Sequence, residues 1–128
     1  MQKYEVKSAI LGFEDMSSVE IHEIDELFST MQDVDNDRIS FTMVNPYQLR
    51  EYSFDLPSDV KALLEIGEES NVKVFNVVVI QKPLEDSTIN FLAPIVVNVD
   101  NSTIAQAVLN PKYHLDLGMA EPIKSFKE

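Results

Sequence analysis

Apolar side chains recur at every second position through much of this chain, the period of strands that turn one face toward a core. Ile39, Phe41 and Met43 alternate with Ser40, Thr42 and Val44. Val72, Val74 and residues 75–80 form a β-branched run that reads as a central strand buried on both faces. Residues 88–92 and 95–99 give two further strands joined by Ala93-Pro94. Pro94 has no amide to offer a ladder, so it marks a bulge, a bend or an edge position. Residues 103–109 add another strand, and residues 4–7, 19–24 and 27–32 show fainter alternation.

A single internal helix interrupts this pattern. Ser58 is a capping residue type, Asp59 suits the positive end of the helix dipole, and Val60, Leu63 and Leu64 make a stripe before Ile66 and a stop at Gly67. Such a short helix is stable only when docked on a sheet. Residues 122–128 read as a terminal helical turn or a frayed end. With three Gly, six Pro, no repeat and no low-complexity segment, one domain is expected over residues 1–128. The fold class is mainly β: a small antiparallel barrel-like domain or sandwich, with one short helix after the middle strands.

The chain has 128 residues, 45% of them hydrophobic, which suffices for one sizeable core and lies well outside the disordered regime. It has no Cys, which excludes disulfides, thiolate metal sites and Cys nucleophiles. No signal-peptide pattern opens the sequence, and the longest apolar run, residues 77–80, falls far short of the roughly 20 residues of a spanning helix. A cytoplasmic protein without a membrane segment is expected. The net charge is -12, from 22 acidic and 10 basic side chains. Residues 8–37 contain no Lys or Arg, while Glu14, Asp15, Glu20, Glu23, Asp25, Glu26, Asp33, Asp35 and Asp37 all fall there. Such a field repels phosphate backbones and favours basic partners, so direct nucleic-acid binding is not expected. On charge alone, an excess of acid that serves only solubility explains the same pattern equally well.

Signs of catalysis are sparse. Asp33-Val34-Asp35-Asn36-Asp37 resembles the start of a calcium loop, but Arg38 stands where that loop needs Gly and Val44 where it needs a bidentate Glu. A tight turn between strands accounts for the run without metal. His22 and His114 lack a partner at metal-ligand spacing. Glu14-Asp15 and Glu85-Asp86 are only adjacent acids, and neighbours on a strand face opposite ways. There is no nucleophile elbow or phosphate-cradling Gly loop. No enzyme, metal or cofactor is therefore expected; a small acidic enzyme or a metal-binding β-domain stays as the alternative. More distinctive is Asn45-Pro46-Tyr47 after a strand, followed by Tyr52 and Phe54. These residues form either an aromatic rim at a sheet edge or part of the core, and Tyr is favoured at protein interfaces. A free strand edge offers a second route to a partner.

Leu11-Gly12-Phe13-Glu14, Ile39-Ser40-Phe41, Val44-Asn45-Pro46-Tyr47, Asn90-Phe91-Leu92-Ala93-Pro94-Ile95-Val96-Val97-Asn98 and Gln106-Ala107-Val108-Leu109 occur in an order and spacing that resembles the flagellar assembly factor FliW family. The resemblance spans roughly residues 10–113. It departs at Met31-Gln32-Asp33, where the family often has Leu-Gln-Ser, and at Tyr113-His114-Leu115-Asp116, where a Tyr-x-x-Arg-His ending is common. The role of the tail from about residue 114 is therefore not carried over.

The resemblance implies a β-barrel-like fold and a partner-switching regulator. Such a protein binds the translational repressor CsrA and relieves its repression of flagellin messenger RNA. It also binds newly made flagellin as a chaperone, so that flagellin synthesis follows export. Family-like placement puts the partner contacts on Phe41, Asn45, Tyr47 and Tyr52, with Asn90 and Asn98 shaping neighbouring strands. Glu23, Asp25 and Glu26 are expected to steer a basic partner electrostatically.

Overall fold

The structure, a computed structural model, describes residues 2–7, 16–36, 38–49, 52, 54, 56–110, 112 and 121–123. Its strands are β1 (Gln2–Val6), β2 (Ser18–Glu23), β3 (Phe28–Asp33), β4 (Ser40–Val44), β5 (Val72–Val79), β6 (Thr88–Ile89), β7 (Ile95–Asn98), β8 (Thr103–Gln106) and β9 (Glu121–Pro122). The helix α1 is Ser58–Leu64. Strands β1 to β5, β7 and β8 close into a seven-stranded barrel, since β4 and β5, distant in the ladder order, also pair. All its pairings are antiparallel except β1 with β8, where Glu5 faces Thr103 and Val6 faces Ile104. That single parallel contact joins the two ends of the barrel sequence and, with the β4–β5 pairing, closes most of the edge a flat sheet would leave open.

The alternation seen in the sequence becomes the barrel wall. Tyr4, Val19, Met31, Met43, Phe75, Ile95, Val97 and Ile104 are buried in one cluster, with Val6, Ile21, Phe41 and Val77 packed against it. A second cluster on the outside joins Val44 and Val78 to Tyr52, Ile89, Phe91 and Leu109. In a third, Val60 and Leu64 of α1 cover Val96, Ala105 and Ala107. Small residues at 105 and 107 let the helix approach the strands closely.

Several expectations are corrected. Strand β5 is buried on both faces only at its centre, where Phe75 and Asn76 point opposite ways, and Val72 and Val79 near its ends are exposed. Strand β7 is buried at all four positions, since the barrel interior lies on one side and α1 on the other. Ser58 does not cap α1; Pro57 precedes the helix without a side-chain bond. Leu63 points outward, so the docking stripe is Val60 and Leu64, one turn apart. The helix stops at Glu65, which takes a left-handed conformation at φ 56, rather than at Gly67. Strand β6 ends at Ile89 because Asn90 Oδ1 accepts from the Leu92 amide at 3.0 Å and turns the chain. Strand β8 ends at Gln106, although the Ala107 and Leu109 amides still bond to the Pro94 and Leu92 carbonyls at 2.9 and 2.7 Å. Pro122, expected in a helical turn, lies in β9 opposite Thr88, an edge position where a missing amide is tolerated. Residues 124–128, Leu11-Gly12-Phe13-Glu14, Asp15, Asp37 and the segment with Tyr113 and His114 lie outside the described residues.

Candidate functional site

Where Asn45 follows β4, the barrel wall opens. The Asn45 amide donates to the Leu27 carbonyl at 2.8 Å, and its Oδ1 accepts from the Tyr47 amide at 3.0 Å. Buried Pro46, with its fixed φ and no amide, then starts a short 3-10 turn over Pro46–Gln48. Strand β4 therefore cannot continue alongside β5, whose pairing with it starts only at Asn76, opposite Val44. The turn leaves Tyr47 54% exposed beside this gap.

The opposite wall is the β2–β3 turn. Asp25 Oδ1 accepts from the Leu27 and Phe28 amides at 2.9 and 2.7 Å, and the Ile24 amide donates to the Phe28 carbonyl at 2.9 Å. Asp25 thus builds the turn that projects Glu23, Ile24 and Glu26 into solvent. Between the two walls lies a groove of about 490 Å³ that brings together Glu23, Asp25, Glu26, Asn45 and Tyr47, with Ser29 in its lining and residues 72–75 along one side. A neighbouring hollow of about 310 Å³ shares Tyr47, Val72 and Val74 and is completed by Tyr52, Phe54, Leu56 and Val96.

Charge and aromatic character meet here. Lys73 Nζ lies 3.2 Å from Glu23 Oε1, with both side chains largely exposed, so this pair contributes little to stability. Asp25 and Glu26 form no ion pair among the described residues and leave the groove net acidic. Beneath the pair, burial pushes the Tyr4 phenol up from its ordinary pKa, with Lys73 lowering it and Glu23 raising it. Burial also raises the Tyr47 phenol, which stays a protonated hydrogen-bond donor at neutral pH. Tyr52 supports Tyr47 from below, with ring centroids 6.2 Å apart and Phe54 and Phe91 at 5.4 and 5.5 Å from Tyr52. The aromatic rim and the aromatic core are both present, divided between residues: Tyr47 is exposed, whereas Tyr52 is 6% exposed.

The remaining expected contacts lie elsewhere. Phe41 packs against the barrel interior, partly buried. Half-buried Asn90 turns the chain after β6, and its carbonyl accepts from Asn76 Nδ2 at 3.0 Å. Asn98 is 2% exposed, donates to the Leu64 carbonyl at 2.8 Å and accepts from the Asp100 amide at 3.0 Å. Phe41, Tyr52 and Asn98 thus have their side chains turned into the protein, and Asn90 shapes a turn. Sequence reading missed Ser29, Gln48, Val72, Lys73, Val74 and Phe75 as lining residues. The available signal was Pro46: a proline directly after a strand leaves the partner strand unpaired beyond that point.

The acidic run forms a turn. Asp33 Oδ1 accepts from the Asp35 amide at 3.0 Å and Asn36 Oδ1 from the Arg38 amide at 3.1 Å. Among the described residues, no group of three or more His, Cys, Asp or Glu is placed to hold a metal ion. His22 Nε2 lies 3.8 Å from Glu20 Oε2 on β2, and Glu85 and Asp86 sit in a short 3-10 helix rather than on a strand. No helix among the described residues is long and apolar enough to cross a membrane.

Comparison with known proteins matches residues 1–119 to the family model described as FliW protein. The chain is 46% identical over 123 residues to flagellar assembly factor FliW 1 of Wolinella succinogenes, covering 96% of each chain. It is 42% identical over 126 residues to flagellar assembly factor FliW of Sulfurimonas denitrificans, covering 97% of each. It is 47% identical over 125 residues to flagellar assembly factor FliW 2 of Helicobacter acinonychis, covering 96% of this chain and 93% of that one. A crystal structure of the flagellar assembly factor FliW superimposes with a TM-score of 0.87 at 23% identity, covering 99% of this chain and 87% of that one, which supports the barrel fold.

Proposed function

Since the chain belongs to the FliW family of flagellar assembly factors, we propose that it is a non-enzymatic regulator that binds the translational repressor CsrA and newly made flagellin in turn. Binding CsrA relieves repression of flagellin messenger RNA. Binding flagellin chaperones the subunit and withholds the factor from the repressor. Export of flagellin frees the factor, so two partners compete for one limiting protein by mass action. This takes place in the cytoplasm, where the messenger RNA is translated.

One observation carries the reading: the groove gathers three carboxylates and an exposed tyrosine where the pairing of β4 with β5 ends. A protein that holds RNA must present positive charge, and an acidic groove with an aromatic anchor suits such a partner. Tyr52 supports Tyr47 from within, while Asn45 and Tyr47 meet the partner. Purified CsrA and flagellin, offered separately and then together to the immobilised protein, test the proposal. Each is expected to bind alone and to displace the other. Failure of both to bind, or capture of both at once without displacement, contradicts it.

A further inference from the structure

Strand β5 keeps one edge open within the groove. The Val99 amide bonds to the Asn71 carbonyl at 2.9 Å, and residues 72–75 face Asn98, Val97, Val96 and Ile95 in an antiparallel register. In such a ladder alternate residues bond to the neighbour, so Lys73 and Phe75 bond to β7 while Val72 and Val74 direct amide and carbonyl to the other side. On that side β4 has already turned away at Asn45, and its pairing covers only Asn76, Val77 and Val78. The backbone of Val72 and Val74 therefore faces the groove with no strand beside it among the described residues. Free edges are usually blunted by charge, proline or a cover; here the guard is Lys73, tied back to Glu23.

Two hollows flank this edge. One holds Glu23, Asp25 and Glu26 and reaches Lys73 and Phe75. The other is apolar and aromatic, with Phe54, Leu56 and Val96, and both share Tyr47, Val72 and Val74. Side chains of an added strand would alternate between them.

We infer that the groove takes its partner by strand addition: an extended polypeptide segment pairs with β5 at residues 72–75, placing apolar side chains in the aromatic hollow and Lys or Arg beside the carboxylates. The inference rests on the proposed function and adds the mode of binding and the chemistry of the bound segment. Main-chain bonds supply affinity and the two hollows supply selection. One site then accepts two unrelated proteins, since each needs only a segment with this alternation.

Amide-resolved hydrogen exchange of the full chain, alone and with purified CsrA or flagellin, tests it. The Val72 and Val74 amides exchange fast in the free protein and at least about tenfold slower in a complex, the protection of one added hydrogen bond, while Lys73 and Phe75 stay protected throughout. Val72→Pro removes one groove-facing amide at the first residue of the strand, where proline is tolerated. It weakens binding about tenfold, whereas Val72→Thr, which keeps the amide, does not. A bound partner that leaves both amides unprotected overturns strand addition while leaving the proposed function intact. So does protection of those amides in a dimer of this chain. If neither protein binds at all, the proposed function fails and this inference fails with it. Should Val72→Pro misfold, the exchange pattern of the unaltered chain decides.

Discussion

The Tyr52 phenol donates to the Phe91 carbonyl at 2.6 Å, across 39 positions of sequence. This bond fastens the segment after the 3-10 turn to the loop between β6 and β7. It also fixes the floor on which Tyr47 stands, so the exposed and buried aromatics form one unit.

Tyr52→Phe keeps the ring and removes the buried hydroxyl, which donates to the Phe91 carbonyl and accepts from Asn76 Nδ2 at 3.4 Å. A loss of about 1–3 kcal/mol in unfolding free energy is expected, read from the urea midpoint at constant m-value. A change within error would mean that these bonds contribute nothing net.

Asn98 and Asn101 both donate to the Leu64 carbonyl, at 2.8 and 2.9 Å, and together close the end of α1 over the barrel. Either alanine variant leaves that carbonyl one donor but also removes an acceptor, of the Asp100 amide at Asn98 or of the Thr103 hydroxyl at Asn101, so each single change is expected to cost about 1–3 kcal/mol. Together they strip it bare, and the double variant is expected to lose more than the sum. Additive losses in a double-mutant cycle would show that the two bonds are independent.

Asp100 accepts from the Asn71 amide at 3.0 Å and from its side chain at 2.9 Å. These bonds hold its carboxyl below the ordinary value of 3.8. A depressed acid contributes stability that is present above the unfolded value and is lost as pH falls through the folded one. Asp100→Asn is therefore expected to be less stable than the parent near neutrality, with the difference shrinking below about pH 4. Urea unfolding at a series of pH values checks this, and a gap that stays constant would refute the assignment.

Strand positions and burial were legible where they depend on local alternation, as at Met43, Phe75 and Val97. Barrel closure was not, because the parallel contact of Glu5 with Thr103 joins opposite ends of the chain and leaves no local mark. The groove was half legible. Asn45-Pro46-Tyr47 stood out as punctuation, and Glu23, Asp25 and Glu26 as charge, yet nothing local brings them to one place. That proximity follows from β3 pairing with β4, which sets Leu27 against Asn45. Val72 and Val74 were read as core because a β-branched run is also what a buried strand requires. Val72 is exposed and Val74 only partly buried, because β4 ends before it reaches them. Asn98 was expected to shape a strand beside the partner contacts; its role as a donor to the end of α1 depends on where the helix docks.

The central claim, that this acidic and aromatic groove is where protein partners bind, is tested most directly by the affinity and association rate of purified CsrA across a salt series. The variants to use are Tyr47→Ala and Glu23→Lys/Glu26→Lys, with Asp25 left intact because it builds its own turn. Loss of the tyrosine anchor is expected to weaken binding by about 2 kcal/mol or more. The charge reversal is expected to slow association mainly at low ionic strength. Unaltered affinity in the first variant, together with an unaltered association rate in the second at every salt concentration, would place the interface elsewhere on the barrel.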